Sequence, residues 1–119
     1  MSLKAEVRRI GEVSIVDLSG RITLGEGSGL VRNTIKDLVN AGRKNILVNL
    51  KDVTYIDSAG LGEIVRTYTT VSRQGGNLKL LSLTKRITDL LAITKLLTVF
   101  ETYDSEADAV RSFHSSASV

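Results

Sequence analysis

The chain contains no cysteine and only one histidine, His114. Without cysteine there is neither a disulfide framework nor a thiolate metal site, and one imidazole in a polar tail leaves no ligand set for zinc. The same scarcity excludes serine hydrolysis, because a triad needs an imidazole within hydrogen-bonding reach of its nucleophile. Aromatic residues make up 4% of the chain and are not interleaved with basic ones, so the stacking surfaces that bind bases are missing. No apolar run approaches the ~18 residues of a membrane span. Met1-Ser2-Leu3-Lys4 lead into an alternating pattern rather than the apolar core of a signal peptide. A soluble cytoplasmic protein is expected.

What is present suits one globular domain. The 119 residues can bury one modest core, and 42% hydrophobic with 24% charged residues is close to the globular average. The net charge is +3 with a pI near 9.4, but Lys and Arg are spread along the chain, as on solvated helix faces. Asp17, Asp52, Asp57 and Glu63 could in principle serve paired-carboxylate chemistry, yet so small a chain has little room for a substrate cleft. No catalytic residue is assigned.

Periodicity divides the chain into alternating elements. Residues 5 to 10 alternate, Gly11-Glu12 turn the chain, and Val13 to Leu18 return it, which predicts a hairpin. Gly25-Glu26-Gly27-Ser28-Gly29 matches no phosphate-binding glycine pattern and reads as a loop or the start of a helix. Leu30, Val31, Ile35, Leu38 and Val39 mark one face of a helix over 30–41, closed by Gly42. Asn45 to Leu50 reads as an interior strand that passes through a connection, Lys51 to Thr54. Leu61, Ile64, Val65, Tyr68 and Val71 then define a helix exposing Glu63, Arg66, Thr67, Thr70 and Arg73. Gly75-Gly76-Asn77 end it and Leu78 to Leu81 form a further strand, giving the strand-helix-strand order of an α/β crossover. A helix over 85–93 with Ile87, Leu90, Leu91 and Ile93 inward, an edge strand over 96–100, and a last helix behind the capping box at Ser105 to Asp108 complete the pattern. One domain over 1–114 and a frayed Ser-rich tail over 115–119 are expected.

The chemistry concentrates in Tyr55-Ile56-Asp57-Ser58-Ala59-Gly60-Leu61-Gly62. Asp57 and Ser58 are residue types that start helices, because their oxygens accept hydrogen bonds from the first unpaired N–H groups. Gly60 and Gly62, each costing roughly 1 kcal/mol against Ala in a helix, strip side chains from beside the serine. A serine at a helix N-terminus tolerates phosphate, since the helix dipole and free N–H groups favour negative charge there. Ser58 either caps its helix and nothing more, or accepts a phosphoryl group on a bare contact surface.

The run from Asp52 to Gly62, with Asp57-Ser58-Ala59-Gly60-Leu61-Gly62 after an apolar strand, closely resembles the signature of STAS domains, most of all those of bacterial anti-sigma factor antagonists. The similarity extends from Gly20 through Gly75-Gly76 to Phe100-Glu101 and Ala109-Val110. It implies a mixed sheet of four or five strands with helices mainly on one face. It also implies partner switching: the unphosphorylated form binds an anti-sigma factor that is a serine kinase, and the sigma factor is released. Phosphorylation of Ser58 from ATP then dissociates the complex, and a PP2C-type phosphatase restores it. Asp57, Ser58, Ala59, Gly60, Gly62, Glu63 and Arg66 become the expected partner-binding residues, with no cofactor and no metal. The chain departs from the pattern at Thr23, where many relatives have an acidic residue. The same family also resembles scaffold modules of signalling assemblies, accessory parts of membrane transport complexes and nucleotide sensors, the last without a phosphate motif here.

Overall fold

The computed structural model describes residues 2–117. In chain order the elements are β1 (Leu3–Ile10), β2 (Val13–Ile22), α1 (Glu26–Asn40), β3 (Asn45–Ile56), α2 (Ser58–Arg73), β4 (Asn77–Leu81), α3 (Lys85–Ile93), β5 (Thr102–Tyr103) and α4 (Glu106–Ala117). The strands form one five-stranded sheet in the order β1-β2-β3-β4-β5. β1 and β2 are the expected antiparallel hairpin, and Gly11 at φ 58° supplies the left-handed backbone of its turn. The pairs from β2 to β5 are all parallel.

From β2 to β5 the chain steps across the sheet in one direction, and right-handed crossovers taken that way place every connecting helix on the same face. Val16 and Leu18 of β2, Ile46, Val48 and Leu50 of β3, and Leu80 of β4 meet Val31, Ile35, Leu61, Ile64, Ile87 and Leu91 from α1, α2 and α3 there. Among the described residues the opposite face is covered by α4, where Ala109 and Phe113 pack on Val13, Ile15, Leu47 and Leu81. Helices thus lie mainly on one face, as expected.

The second face is held by charge as well. Lys79 is buried beneath α4, donating to Ser112 Oγ at 3.0 Å with its ammonium 4.6 Å from the Phe113 ring centre. Arg8 joins Asp17, at 2.6 Å, to Glu106 of α4. Ser105 caps that helix, its Oγ accepting from Asp108 N–H at 3.3 Å. The helix takes in the first part of the 115–119 segment expected to fray, and residues 118–119 lie outside the described residues.

Several expectations are corrected. Of the two readings of Gly25–Gly29 the helix start holds, but α1 begins at Glu26 rather than at Leu30, and Gly27 lets its first turn pass the end of β2. A Cβ there would sit 2.9 Å from the Arg21 carbonyl oxygen. Lys51–Thr54 is not a connection but a continuation of β3, paired to β2 with register shifts that absorb its irregularity. Residues 96–100 are not a strand: Leu96 and Leu97 N–H both donate to Leu91 O, at 2.7 and 3.1 Å, closing the end of α3. The edge strand follows at Thr102–Tyr103, where Leu80 N–H reaches Glu101 O and Ser82 N–H reaches Tyr103 O. Ile93, expected inward, is 78% exposed. Among the described residues no helix is long and apolar enough to cross a membrane.

Candidate functional site

β2 and β3 end side by side, with Ile22 opposite Ile56 as their last pair. Clefts of parallel α/β sheets lie at such carboxyl ends, where one strand's loop and the next strand's helix converge. Here the chain leaves β3 through the single residue Asp57, held extended at φ −102°, and enters α2 at once.

Asp57 carries three ties. Its N–H donates to Ile22 O at 3.3 Å, its Oδ1 accepts from Gly60 N–H at 2.8 Å, and its Oδ2 accepts from Leu24 N–H at 3.3 Å. One carboxylate therefore caps α2 and fastens the loop that follows β2. The Gly60 N–H first, and the Leu24 N–H after it, hold the Asp57 carboxyl below the usual carboxylate range against the opposing effect of desolvation.

The cap is thus Asp57 and not Ser58. Ser58 is the first residue of α2, it is exposed, and its hydroxyl has no partner among the described residues. It stands among the unpaired N–H groups at the start of a helix of 16 residues. Ala59 beside it is half-buried.

The two glycines serve different ends. Gly62 faces open space, with nothing within 4 Å of the place a Cβ would take, and it lines a shallow hollow with Val65, Arg66 and Thr69. Gly60 is buried, and its expected role in clearing the surface is corrected. A Cβ there would clash with the Ile22 carbonyl, whose carbon would be only 2.9 Å away. Gly60 lets α2 press its first turn against the end of β2.

The exposure expected for Glu63 and Thr67 is also corrected. Both are buried, at 2% and 4% exposure, because α2 packs against α1 as well as against the sheet. Glu63 Oε1 accepts from Arg32 of α1 at 2.9 Å and from Arg66 at 3.5 Å, which ties α2 to α1. Arg66, Thr70 and Arg73 are exposed as expected.

Leu24, Arg21 and Arg86 also enter the site, and sequence patterning did not single them out. The Thr23 carbonyl accepts from both Ser28 N–H and Ser28 Oγ, at 3.0 and 2.8 Å, which fixes the loop carrying Leu24. Leu24 is 79% exposed although its backbone is tied to Asp57. Arg21 and Arg86 both lie over the Tyr55 ring, their guanidinium carbons 4.4 and 4.2 Å from its centre, and Arg86 Nε donates to Ile56 O at 3.3 Å. These three residues come from β2, β3 and α3, so no local spacing announces them. No group of described residues is arranged to hold a metal ion.

A family model described as the STAS domain matches residues 4–109. The chain is 33% identical over 101 residues to the anti-sigma-B factor antagonist of Bacillus subtilis (strain 168), covering 85% of this chain and 91% of that protein. It is 28% identical over 111 residues to the anti-sigma F factor antagonist of Paenibacillus polymyxa, covering 92% and 94%. Among solved structures, an anti-sigma factor antagonist from Mycobacterium paratuberculosis superposes with a TM-score of 0.81 at 20% identity, covering 92% of each chain. The Bacillus cell fate determinant SpoIIAA in its phosphorylated form gives 0.73 at 16% identity, covering 92% of this chain and 99% of that one. At those identities the two structures show a shared fold.

Two measurements test this geometry. In urea denaturation Gly60→Ala should lose about 1–3 kcal/mol through overpacking, whereas Gly62→Ala should gain about 0.5–1 kcal/mol by helix propensity; equal effects would contradict the separate roles. Because the folded pKa of Asp57 is depressed, its contribution is present above the unfolded value and lost as pH falls through the folded one. Asp57→Asn should therefore melt below the wild type at about pH 7, with the gap closing as pH falls below the ordinary aspartate range. A gap independent of pH would show that the charge of Asp57 does not matter to the cap.

Proposed function

The chain belongs to the STAS domain family, and we propose that it is an anti-sigma factor antagonist switched by phosphorylation of Ser58. It is a regulatory binding protein rather than an enzyme. In this reading residues 1–114 act as one domain in the cytoplasm. The unphosphorylated form binds an anti-sigma factor that is also a serine kinase, and the sigma factor is freed. Transfer of a phosphoryl group from ATP to Ser58 then releases the antagonist, and a PP2C-type phosphatase returns it to the binding form.

The observation that carries the reading is the free hydroxyl of Ser58 at the start of α2, with capping already done by Asp57. A hydroxyl that held its own helix could not change chemistry without loosening that helix. Ser58 can, and the helix dipole favours the charge it would gain. Phosphorylation adds about −1.5 to −2 charges and three acceptor oxygens. Placed on a surface that another protein covers closely, that group expels the partner by bulk and by the cost of desolvation. Ser58, Ala59, Gly62, Arg66 and the protruding Leu24 make up the covered surface in this proposal, while Asp57 and Gly60 fix its shape from beneath. Glu63 is left out because it is buried. The antagonist relatives over most of the chain's length support the general role.

The test is to incubate the full chain with ATP and each serine kinase of the histidine-kinase-like type encoded in the same genome, and to locate phosphate by mass spectrometry. Phosphate at Ser58 is expected with one of them, and modification by none would overturn the proposal. Ser58→Asp should weaken kinase binding with the thermal midpoint nearly unchanged, and Ser58→Ala should bind but fail to be released by ATP.

A further inference from the structure

We propose that Arg21, Tyr55 and Arg86 form an acid-reading site, which recognises carboxylates of an Asp/Glu-bearing segment on the protein that docks over Ser58. The proposal rests on the partner-switching reading of Ser58 and adds to it the chemistry by which the partner is chosen.

Two guanidinium groups lie over one ring, 4.4 and 4.2 Å from its centre. Like charges gathered in this way repel unless something compensates them. No acidic side chain pairs with either arginine among the described residues, and the Arg21 guanidinium makes no hydrogen bond among them. Asp57, the acid at the same end of the sheet, is spent on the N–H groups of Gly60 and Leu24. Contact with the tyrosine ring offsets part of the repulsion and restrains both arginine side chains, so less freedom remains to be lost on binding. Arg86 is fixed further by Ile56 O, which leaves its terminal N–H groups to present as a fork. A planar, held fork suits a carboxylate, which accepts two parallel hydrogen bonds.

Position gives the site its purpose. Arg86 is anchored on the carbonyl two residues before Ser58, and Arg21 precedes Ile22, whose carbonyl receives the Asp57 N–H. A protein covering Ser58 therefore meets these guanidiniums at the rim of the same contact. Thr23, on the loop just beyond Arg21, brings no acid to neutralise them. The rim is cationic, and the complementary partner is acidic at that point.

The experiment measures the affinity of the full-length chain for the kinase that phosphorylates it, by calorimetry at low and high salt. Arg21→Met and Arg86→Met are each expected to raise Kd by about fivefold to tenfold and to flatten its salt dependence, with the circular dichroism spectrum unchanged. Arg21→Lys and Arg86→Lys should keep the salt dependence while losing part of the affinity, because charge survives and the stacked fork does not. If both methionine variants bind as the wild type does while Ser58 is still phosphorylated, the acid-reading site is wrong and the Ser58 switch stands. If the wild type binds no kinase, both fall.

Discussion

The carboxylate of Asp57 is the constraint on which the site depends. It accepts the Gly60 N–H on one oxygen and the Leu24 N–H on the other, while its own N–H reaches the Ile22 carbonyl. A single side chain thereby fixes the start of α2, the loop after β2 and the junction between the two central strands. Such a bond to an ionised acceptor is stronger than a neutral one, and two of them in one residue leave the carboxylate little reason to protonate. The lowered pKa of Asp57 is the electrostatic face of the same arrangement.

Because Asp57 caps the helix, its neighbour is left free. Ser58 keeps the favourable field of a helix N-terminus without a structural duty, and in the proposed switch a covalent change there would act on binding and not on folding. The glycines divide along the same line. Gly60 admits the backbone of β2 against α2, and Gly62 leaves the outer surface open. Around this centre the surface is mixed: the Leu24 side chain is exposed, and the cationic Arg21 and Arg86 lie over the Tyr55 ring. An apolar knob with charge beside it resembles the core and rim of protein contacts, in which the rim sets partner choice.

Most of the architecture was legible in the sequence. The alternation at 5–10 with the turn at Gly11-Glu12, the branched residues at 45–50 and the threefold-fourfold apolar spacing after Ser58 mark elements that the structure contains. What patterning could not supply was each helix's second neighbour. Apolar spacing marks the stripe of α2 that faces the sheet, but α2 also lies against α1, so polar Glu63 and Thr67 are buried in an interface that hydropathy reports as surface. Gly60 was ambiguous for a similar reason: its missing side chain answers to Ile22, far away in sequence. The run at 96–100 was misleading because two of its apolar residues, Leu96 and Phe100, are satisfied by packing on the core without strand pairing. The Arg21–Tyr55–Arg86 stack was invisible for want of any local spacing, since the sheet register and α3 bring it together.

The central claim is that the hydroxyl of Ser58 is free to be modified because the fold does not lean on it. Hydrogen–deuterium exchange on the unmodified and the Ser58-phosphorylated chain tests this directly. With Asp57 holding the cap, the Gly60 amide and the remainder of the first turn of α2 should keep their protection after phosphorylation, while partner binding is lost. Loss of protection across that turn on phosphorylation would contradict it, and would mean that the switch works by melting the helix rather than by changing its surface.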